Sequence, residues 1–580
     1  MSFWKTITRK EDPRVYDNKD GHLVRSLKVR DFLALGVGTI VSTSIFTLPG
    51  EVAAMHTGPS VVISFLIAAI VAGLVAFAYA EMAAAMPFAG SAYSWINVVF
   101  GESFGWVAGW ALLAEYFIAL AFVGSGLSAN FRALFVPLGW KLPASLSNAF
   151  GTEGGVVDIV SVVVIILVAL LISRGVSQAA RVENLLVILK VFAILLFIVV
   201  GLTAIKASNF MPFIPQYHET ANGAFGGWQG IYAGVSMIFL SYIGFDSIAA
   251  NSAEAINPQK TMPRGILGSL VIAVVLFIAV SLVLIGVLPY QQYANSAEPV
   301  GLALRTAHHS GVATVVQTIA VLGMFTALIG MSMAGSRLIY SFGRDGMLPK
   351  WLGKLDKHNR PNRALWTLTI GVVLIGAFFP FAFLSQLVST GTLIAFMFVS
   401  LGIYALRRRE GKDIPNPSFK MPFYPVLPAL GFLASLLVFM GLDYQAKLYA
   451  GIWFVFGLII YFAYGIRHSS MAKKEDGQNV KNETEAGKNN RDVLLEEKNA
   501  FATAARIKYY DIVLDHGQGA MVTDIEGNDY IDLLASASST NTGHAHPRVV
   551  QAIQEQAAKM IQYTPAYFAN SQAARLAPRL

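Results

Sequence analysis

Ser42, Thr43 and Ser44 stand side by side inside the apolar run GVGTIVSTSIFTLPG, residues 36–50. Short hydroxyl side chains compete for backbone hydrogen bonds and bend or fray a helix. Gly36 and Gly38 precede them, and Pro49 and Gly50 follow. An opened turn survives in lipid only where it is buried in protein or lines a wet cavity. The run therefore reads as a broken helix. A half-helix that restarts at Ser44 would offer the N–H groups of Thr43, Ser44 and Ile45 and a positive dipole end, which suit a carboxylate. A half-helix that stops before Ser42 would leave carbonyls that suit an ammonium. The bland alternative is a kinked packing helix whose small residues allow close approach.

About two hundred residues further on, the apolar run MIFLSYIGFDSIAANSAEAINPQKTMP has a second interruption around Ser241–Asp246. Paired interruptions in corresponding places of two halves point to a transporter site at the repeat interface. One anion site and one cation site a few ångströms apart describe the backbone of an amino acid. The Ser42, Thr43 and Ser44 hydroxyls add donors, and Ile40, Phe239, Leu240 and Ile243 would give an apolar side-chain pocket.

Four ionisable residues sit deep in apolar segments: Glu81, Glu115, Lys190 and Asp246. Charges at membrane depth are costly and functional by default. Glu81 lies near a span end and reads as structural. Glu115 lies about 20 Å of helix past Glu102, and Lys190 about 13 Å past Arg181. Lysine can snorkel over part of that distance. Arg344 and Asp345 read as a loop turn with ion pairing.

These residues need a membrane scaffold, and the composition supplies it. The 580 residues are 55% hydrophobic and 13% charged, with mean hydropathy +0.56, which marks a polytopic membrane protein. Twelve apolar segments long enough to span are expected near 31–50, 61–86, 104–132, 155–173, 183–205, 227–250, 265–288, 313–340, 364–384, 386–406, 424–441 and 448–466. Basic residues crowd alternate loops, such as Arg174–Arg181, Lys260–Arg264, Arg344–Arg363 and Arg407–Lys420. The loops between hold only Arg132, Lys141, Lys206, Arg305 and Lys447. That asymmetry predicts both termini in the cytoplasm. It also assigns the net charge of +8 to topology, so no nucleic-acid partner is expected. With no cysteine, disulfides and thiolate metal sites are excluded, and no metal site is expected. Spans 1–5 and 6–10 form two halves of opposite topology, because five is odd.

Several motifs in the right order resemble the amino acid–polyamine–organocation superfamily, in particular bacterial relatives of cationic amino acid transporters. They are RSLKVRDFLALGVG leading into IVSTSIF, AYAEMAAAMPFAGSAYSW, GWALLAEY, SYIGFDSIAANSAEAINPQKTMP and SRLIYSFGRDGMLP. The resemblance covers roughly residues 20–466. It implies a leucine-transporter-like inverted repeat of five plus five helices, with helices 1 and 6 broken. It implies that the first-span loop grips the substrate carboxylate, that a lysine at position 190 takes the place of a sodium ion, and that a glutamate at 115 is linked to proton coupling. Counting back from SRLIYSFGRDG in such proteins puts Met324 and Phe325 on the far wall of the pocket. The family usually shows glycines where this chain has Ser42 and Ser44. Serine keeps the N–H donors but adds bulk and stiffens the loop, so a smaller or differently shaped substrate is expected.

Residues 467–499 are polar and without an apolar period, as in a flexible linker. Residues 500–580 resume a soluble pattern, and HGQGAMVTDIEGNDYIDLLASASSTNTGHAHPRVVQAIQEQAAK resembles the start of a class III pyridoxal-phosphate aminotransferase. In that family the phosphate-cradling turn, the aspartate on the pyridine nitrogen and the Schiff-base lysine come later in the chain. Lys559 lies in the AIQEQAAK helix instead, so pyridoxal phosphate is not expected to bind.

The expected molecule is thus an all-α polytopic membrane protein of twelve transmembrane helices with a short α+β C-terminal fragment. Its segments are 1–30 (cytoplasmic), 31–466 (transporter), 467–499 (linker) and 500–580 (aminotransferase-like). The expected function is secondary active amino acid transport across the cell membrane, proton-coupled, with no cofactor and with protons and membrane lipid as partners. The alternatives are an amino acid/amine exchanger, for 4-aminobutyrate or related amines, and a membrane-anchored aminotransferase. Ile40, Ser42, Thr43, Ser44, Ile45, Phe239, Leu240, Ile243 and Phe325 are the expected substrate contacts, and Lys190, Glu115 and Asp246 the expected coupling groups.

Overall fold

The computed structural model describes residues 9–13, 25–135, 142–150, 154–220, 223–294, 296, 298–379, 381–472 and 510–559. Most of the N-terminal segment, the linker from 473 and both ends of the C-terminal segment lie outside the described residues. The chain divides into two compact units, Met1–Lys473 and Lys474–Leu580.

The first unit is built of helices because its apolar stretches must satisfy their own backbone in lipid. The first span is split into α1 (Val29–Ile40) and α2 (Ser44–Val52). Then come α3 (Val61–Ala85), a short α4 (Ala92–Val99), α5 (Glu102–Phe135), α6 (Ile159–Ser173) and α7 (Val176–Leu202). A two-stranded hairpin, β1 (His218–Thr220) and β2 (Gly223–Phe225), leads into the second split span, α8 (Gly227–Ile238) and α9 (Phe245–Ala250). The remaining spans are α10 (Pro258–Val287), α11 (Ser310–Arg344), α12 (Asn362–Phe378), α13 (Phe381–Arg409), α14 (Val426–Met440) and α15 (Tyr444–Ile460). Counting each split helix once and leaving out the short α4, these are twelve apolar helical segments among the described residues, as expected.

Corresponding members of the two halves pack on one another: α3 on α10, and α5 on α11. The two breaks also touch, since a Cβ on Gly244 would lie 2.8 Å from Thr39 and 3.2 Å from the Ile40 amide nitrogen. Paired equivalents of this kind are what a pseudo-two-fold axis through an inverted repeat produces. Around α1 sit α7, α10 and α11, so the first half-helix is enclosed on three sides. The spans lie close to their expected positions. The largest departures are α7 and α10, each of which starts seven residues before the expected 183 and 265.

The helix ends on the side of the basic loops are tied by buried polar contacts. Leu27 and Ser26 donate to the Glu254 carbonyl at 3.1 and 3.0 Å. The Glu254 carboxylate pairs with Arg337 at 2.7 Å, both buried. Glu81 accepts from Arg407 Nη2 at 3.0 Å and from the Met421 N–H at 2.6 Å, tying α3 to α13 and to the loop after it. Arg344 pairs with its neighbour Asp345 at 3.0 Å. Arg9 pairs with the fully buried Glu102 at 2.7 Å and also donates to the Ile466 carbonyl and Ser469 Oγ, each at 2.9 Å. That single guanidinium joins the N-terminal segment to the start of α5 and the end of the last span.

The second unit holds an antiparallel sheet of β3 (Leu514–Gln518), β4 (Met521–Asp524) and β5 (Asp529–Ile531), followed by α16 (Pro547–Ala557). Asp524 closes the β4–β5 turn by accepting from the N–H groups of Glu526 and Asn528 at 3.0 and 2.8 Å. His544, 2.7 Å from Asp532, holds that carboxyl below the usual carboxylate range.

Removing one partner of a buried ion pair costs about 3–5 kcal/mol, so Arg9→Ala should lower the melting temperature in detergent markedly. A chain ended after Ala472 keeps Ile466, Ser469 and the buried Met471 and Ala472. It should reach the membrane at normal abundance and transport at the full rate. Lost uptake in that truncation would assign the removed residues a role in transport.

Candidate functional site

The site begins where α1 stops. Val41 has ψ 66°, off the helical value, and its N–H still bonds the Val37 carbonyl. Ser42 turns back on Ile40, its N–H donating to that carbonyl at 2.9 Å. The N–H groups of Thr43, Ser44 and Ile45 have no acceptor among the described residues, as at any helix start without a cap. Ser42 and Ser44 bring their hydroxyls to 3.5 Å of each other, and the buried Thr43 hydroxyl has no partner among the described residues. Ile40, Thr43, Ser44 and Ile45 are all at most 1% exposed, and Ser42 8%.

The second break is shaped by Gly244. Phe239–Tyr242 tighten into a 3-10 turn, Ile243 is extended, and Gly244 takes φ 132°, where a side chain would be strained. Asp246 Oδ1 accepts the Gly244 N–H at 3.1 Å and so caps the restarted helix α9. Phe239 packs edge-on against Phe396, in a cluster with Phe245 and Tyr79. Ile243 is buried and Leu240 partly so.

Lys190, in the middle of α7, is fully buried. Its ammonium donates to the Gly38 carbonyl at 2.9 Å and to Thr326 Oγ1 at 2.6 Å, with the Gly323 carbonyl at 3.4 Å. The lysine stem runs over Gly323, where a Cβ would fall 2.8 Å from Lys190 Cδ. The lysine side chain thus joins the end of α1 to α11.

Glu115 and Asp246 face one another across α5 and α9, with Thr392 beside Glu115. Tyr116 donates to Asp246 Oδ2 at 3.1 Å. Neither oxygen of Glu115 meets a donor in hydrogen-bonding geometry, and both are buried.

Phe325 requires a correction. The face of α11 that meets α1 carries Gly323, Thr326 and Gly330; Gly330 lies against Thr39. At about 100° per residue, Phe325 lies about 100° round the helix from Thr326, on the side of the exposed Thr318, and is itself partly buried. The span-eight residue at the site is therefore Thr326, one position on from the expected one.

Sequence reasoning also missed Glu183, Tyr116 and the Glu254–Arg337 pair. Glu183 is fully buried on α7, and neither of its oxygens has a hydrogen-bond partner among the described residues. The span expected over 183–205 puts Glu183 at its first position. The available signal was its place two helical turns before Lys190, on the same face.

These broken helices and the cation between them define a transporter of the amino acid permease type. The chain belongs to that family: the amino acid permease model matches residues 27–466. The branched-chain amino acid permease BcaP of Lactococcus lactis subsp. cremoris is 65% identical over 459 residues, covering 79% of this chain and 98% of that one. A methylthioribose transporter of Bacillus subtilis is 36% identical, covering 79% and 96% of the two chains. The BcaP of Bacillus subtilis is 34% identical, covering 77% and 95%.

A class III aminotransferase model matches residues 502–580, a family that implies pyridoxal phosphate. Among the described residues 510–559, only Val522 and Asp524 are buried and the one lysine is Lys559, just past the end of α16. Among the described residues, that exposed sheet and helix form no cradle for the cofactor.

Ser44 occupies the first position of α2, where proline is tolerated but its N–H is lost. Ser44→Pro should fold and bind substrate more weakly by about 1.5–3 kcal/mol, the worth of one hydrogen bond to a charged group. Isothermal titration with wild-type affinity in a monodisperse variant would exclude this contact.

Proposed function

We propose that this permease imports branched-chain or similarly sized apolar amino acids across the cell membrane together with protons, both termini lying in the cytoplasm. The observation that carries the reading is the Lys190 ammonium on the Gly38 carbonyl and Thr326. It lies where an opened helix end needs a positive charge, and it is covalently held. A lysine in an apolar helix is disfavoured by about 2.5–3.5 kcal/mol on insertion scales, and the carbonyl and hydroxyl partners offset that. A permanent cation here removes the need for a sodium ion.

The substrate carboxylate is bound by the free N–H groups at Thr43, Ser44 and Ile45, and its ammonium by carbonyls at the two breaks. Ile40, Leu240 and Ile243 read side-chain size. This apolar lining, together with the names of the two branched-chain permease relatives, favours leucine, isoleucine and valine over charged substrates. Glu115 and Asp246 form the proton site. A proton placed between two facing carboxyls supplies the donor that Glu115 lacks, and Tyr116 holds Asp246 in register. The aminotransferase-like segment contributes no chemistry to transport.

Uptake of labelled leucine into proteoliposomes tests the whole reading. Replacing sodium with choline should leave the rate unchanged, and an inward proton gradient should raise it. Lys190→Ala should abolish uptake while leaving the protein monodisperse. Sodium dependence in the wild type, or full activity in Lys190→Ala, would overturn it. Uptake that needs internal substrate and ignores the proton gradient would identify an exchanger.

A further inference from the structure

Gly38 stands between two opposite charges. Its carbonyl accepts the Lys190 ammonium at 2.9 Å, and a Cβ on its other side would fall 2.1 Å from Glu183 Oε1. The Glu183 carboxylate is fully buried, with no hydrogen-bond donor on either oxygen among the described residues. Such a group is expensive unless it is paired. Lys190 is the charged group that acts on it. The other side chains around this point, Val187 of α7 and Thr326 of α11, are uncharged. On α1, Asp31 is engaged elsewhere, accepting from Asn184 at 2.9 Å.

We infer that Glu183 is the alternate counter-ion of Lys190, taking over its ammonium when α1 swings away to open the site toward the cytoplasm. Transport by rocking elements requires α1 to move relative to its neighbours, and that motion withdraws the Gly38 carbonyl. An ammonium left buried and unpaired costs several kcal/mol. Both side chains lie on the same face of α7, seven residues apart, and lysine side chains on a helix lean toward its N-terminus, here toward Glu183. Once the glycine between them departs, nothing separates the charges and the pair closes within one helix. The ammonium then has an oxygen partner in both states: the carbonyl of α1 and the hydroxyl of α11 in one, a carboxylate of its own helix in the other. Glu183 is a positioning residue in this scheme, since it touches neither substrate nor proton site. The inference rests on Lys190 being a fixed cation.

The chain has no cysteine, so Ala34→Cys, buried on α1, reports opening by its rate of thiol labelling from the cytoplasmic side. Glu183→Gln keeps the shape and removes the charge. In the reporter background it should bind leucine within twofold of the parent, take it up at least tenfold more slowly, and label at least fivefold more slowly. Glu183→Asp, which restores a carboxylate, should recover much of both rates. Uptake and labelling of Glu183→Gln within twofold of the parent would overturn the inference. So would loss of leucine binding in that variant, because it would assign Glu183 to holding the closed site together. Lys190→Ala separates the two readings. If it is inactive while Glu183→Gln behaves as the parent, only the counter-ion scheme fails. If Lys190→Ala transports normally, the fixed-cation reading fails with it.

Discussion

A helix opened inside a membrane leaves carbonyls that no water can reach, and the Gly38 carbonyl is one of them. Its bond to the Lys190 ammonium is the interaction on which the arrangement depends. The cation lets α1 end in lipid, Thr326 joins the same ammonium to α11, and the chain is then free to turn at Val41–Thr43 and restart. Every other feature of the site, including the unpaired N–H groups, the enclosed hydroxyls and the contact with the second break, follows from that permitted interruption.

The second interruption is solved differently. Gly244 supplies the backbone conformation, and Asp246 caps the new half-helix from within. Asp246 is therefore held from both sides: Oδ1 accepts the Gly244 N–H, and Oδ2 accepts from Tyr116.

Much of this was legible in the sequence, because the physics of lipid leaves few options. Continuous apolar runs must be helices, and hydroxyl clusters or a Gly–Phe–Asp step inside them must be breaks. A lysine deep in such a run must find oxygen. What could not be read was register. Nothing in GMFTALIG says which side chain of α11 meets α1, and the count placed Phe325 where Thr326 stands. Glu183 was hidden for a related reason. The helix α7 begins at Val176, well before its apolar part, so a charge that looked terminal is interior. The methyl-sized gap at Gly38 that makes room for it depends on how two helices cross, and a single chain's pattern carries no trace of that.

The Arg9 contact also has a consequence in time. Glu102 leaves the ribosome soon after Arg9, but Ile466 follows 457 residues later. At 5–20 residues per second, the guanidinium waits roughly 20–90 s for its last acceptors. The nascent transporter therefore spends that interval with its two ends unfastened, and closing the clasp is among the last steps of its assembly. A chain that stops before the final span lacks two of the acceptors that this guanidinium meets in the folded protein.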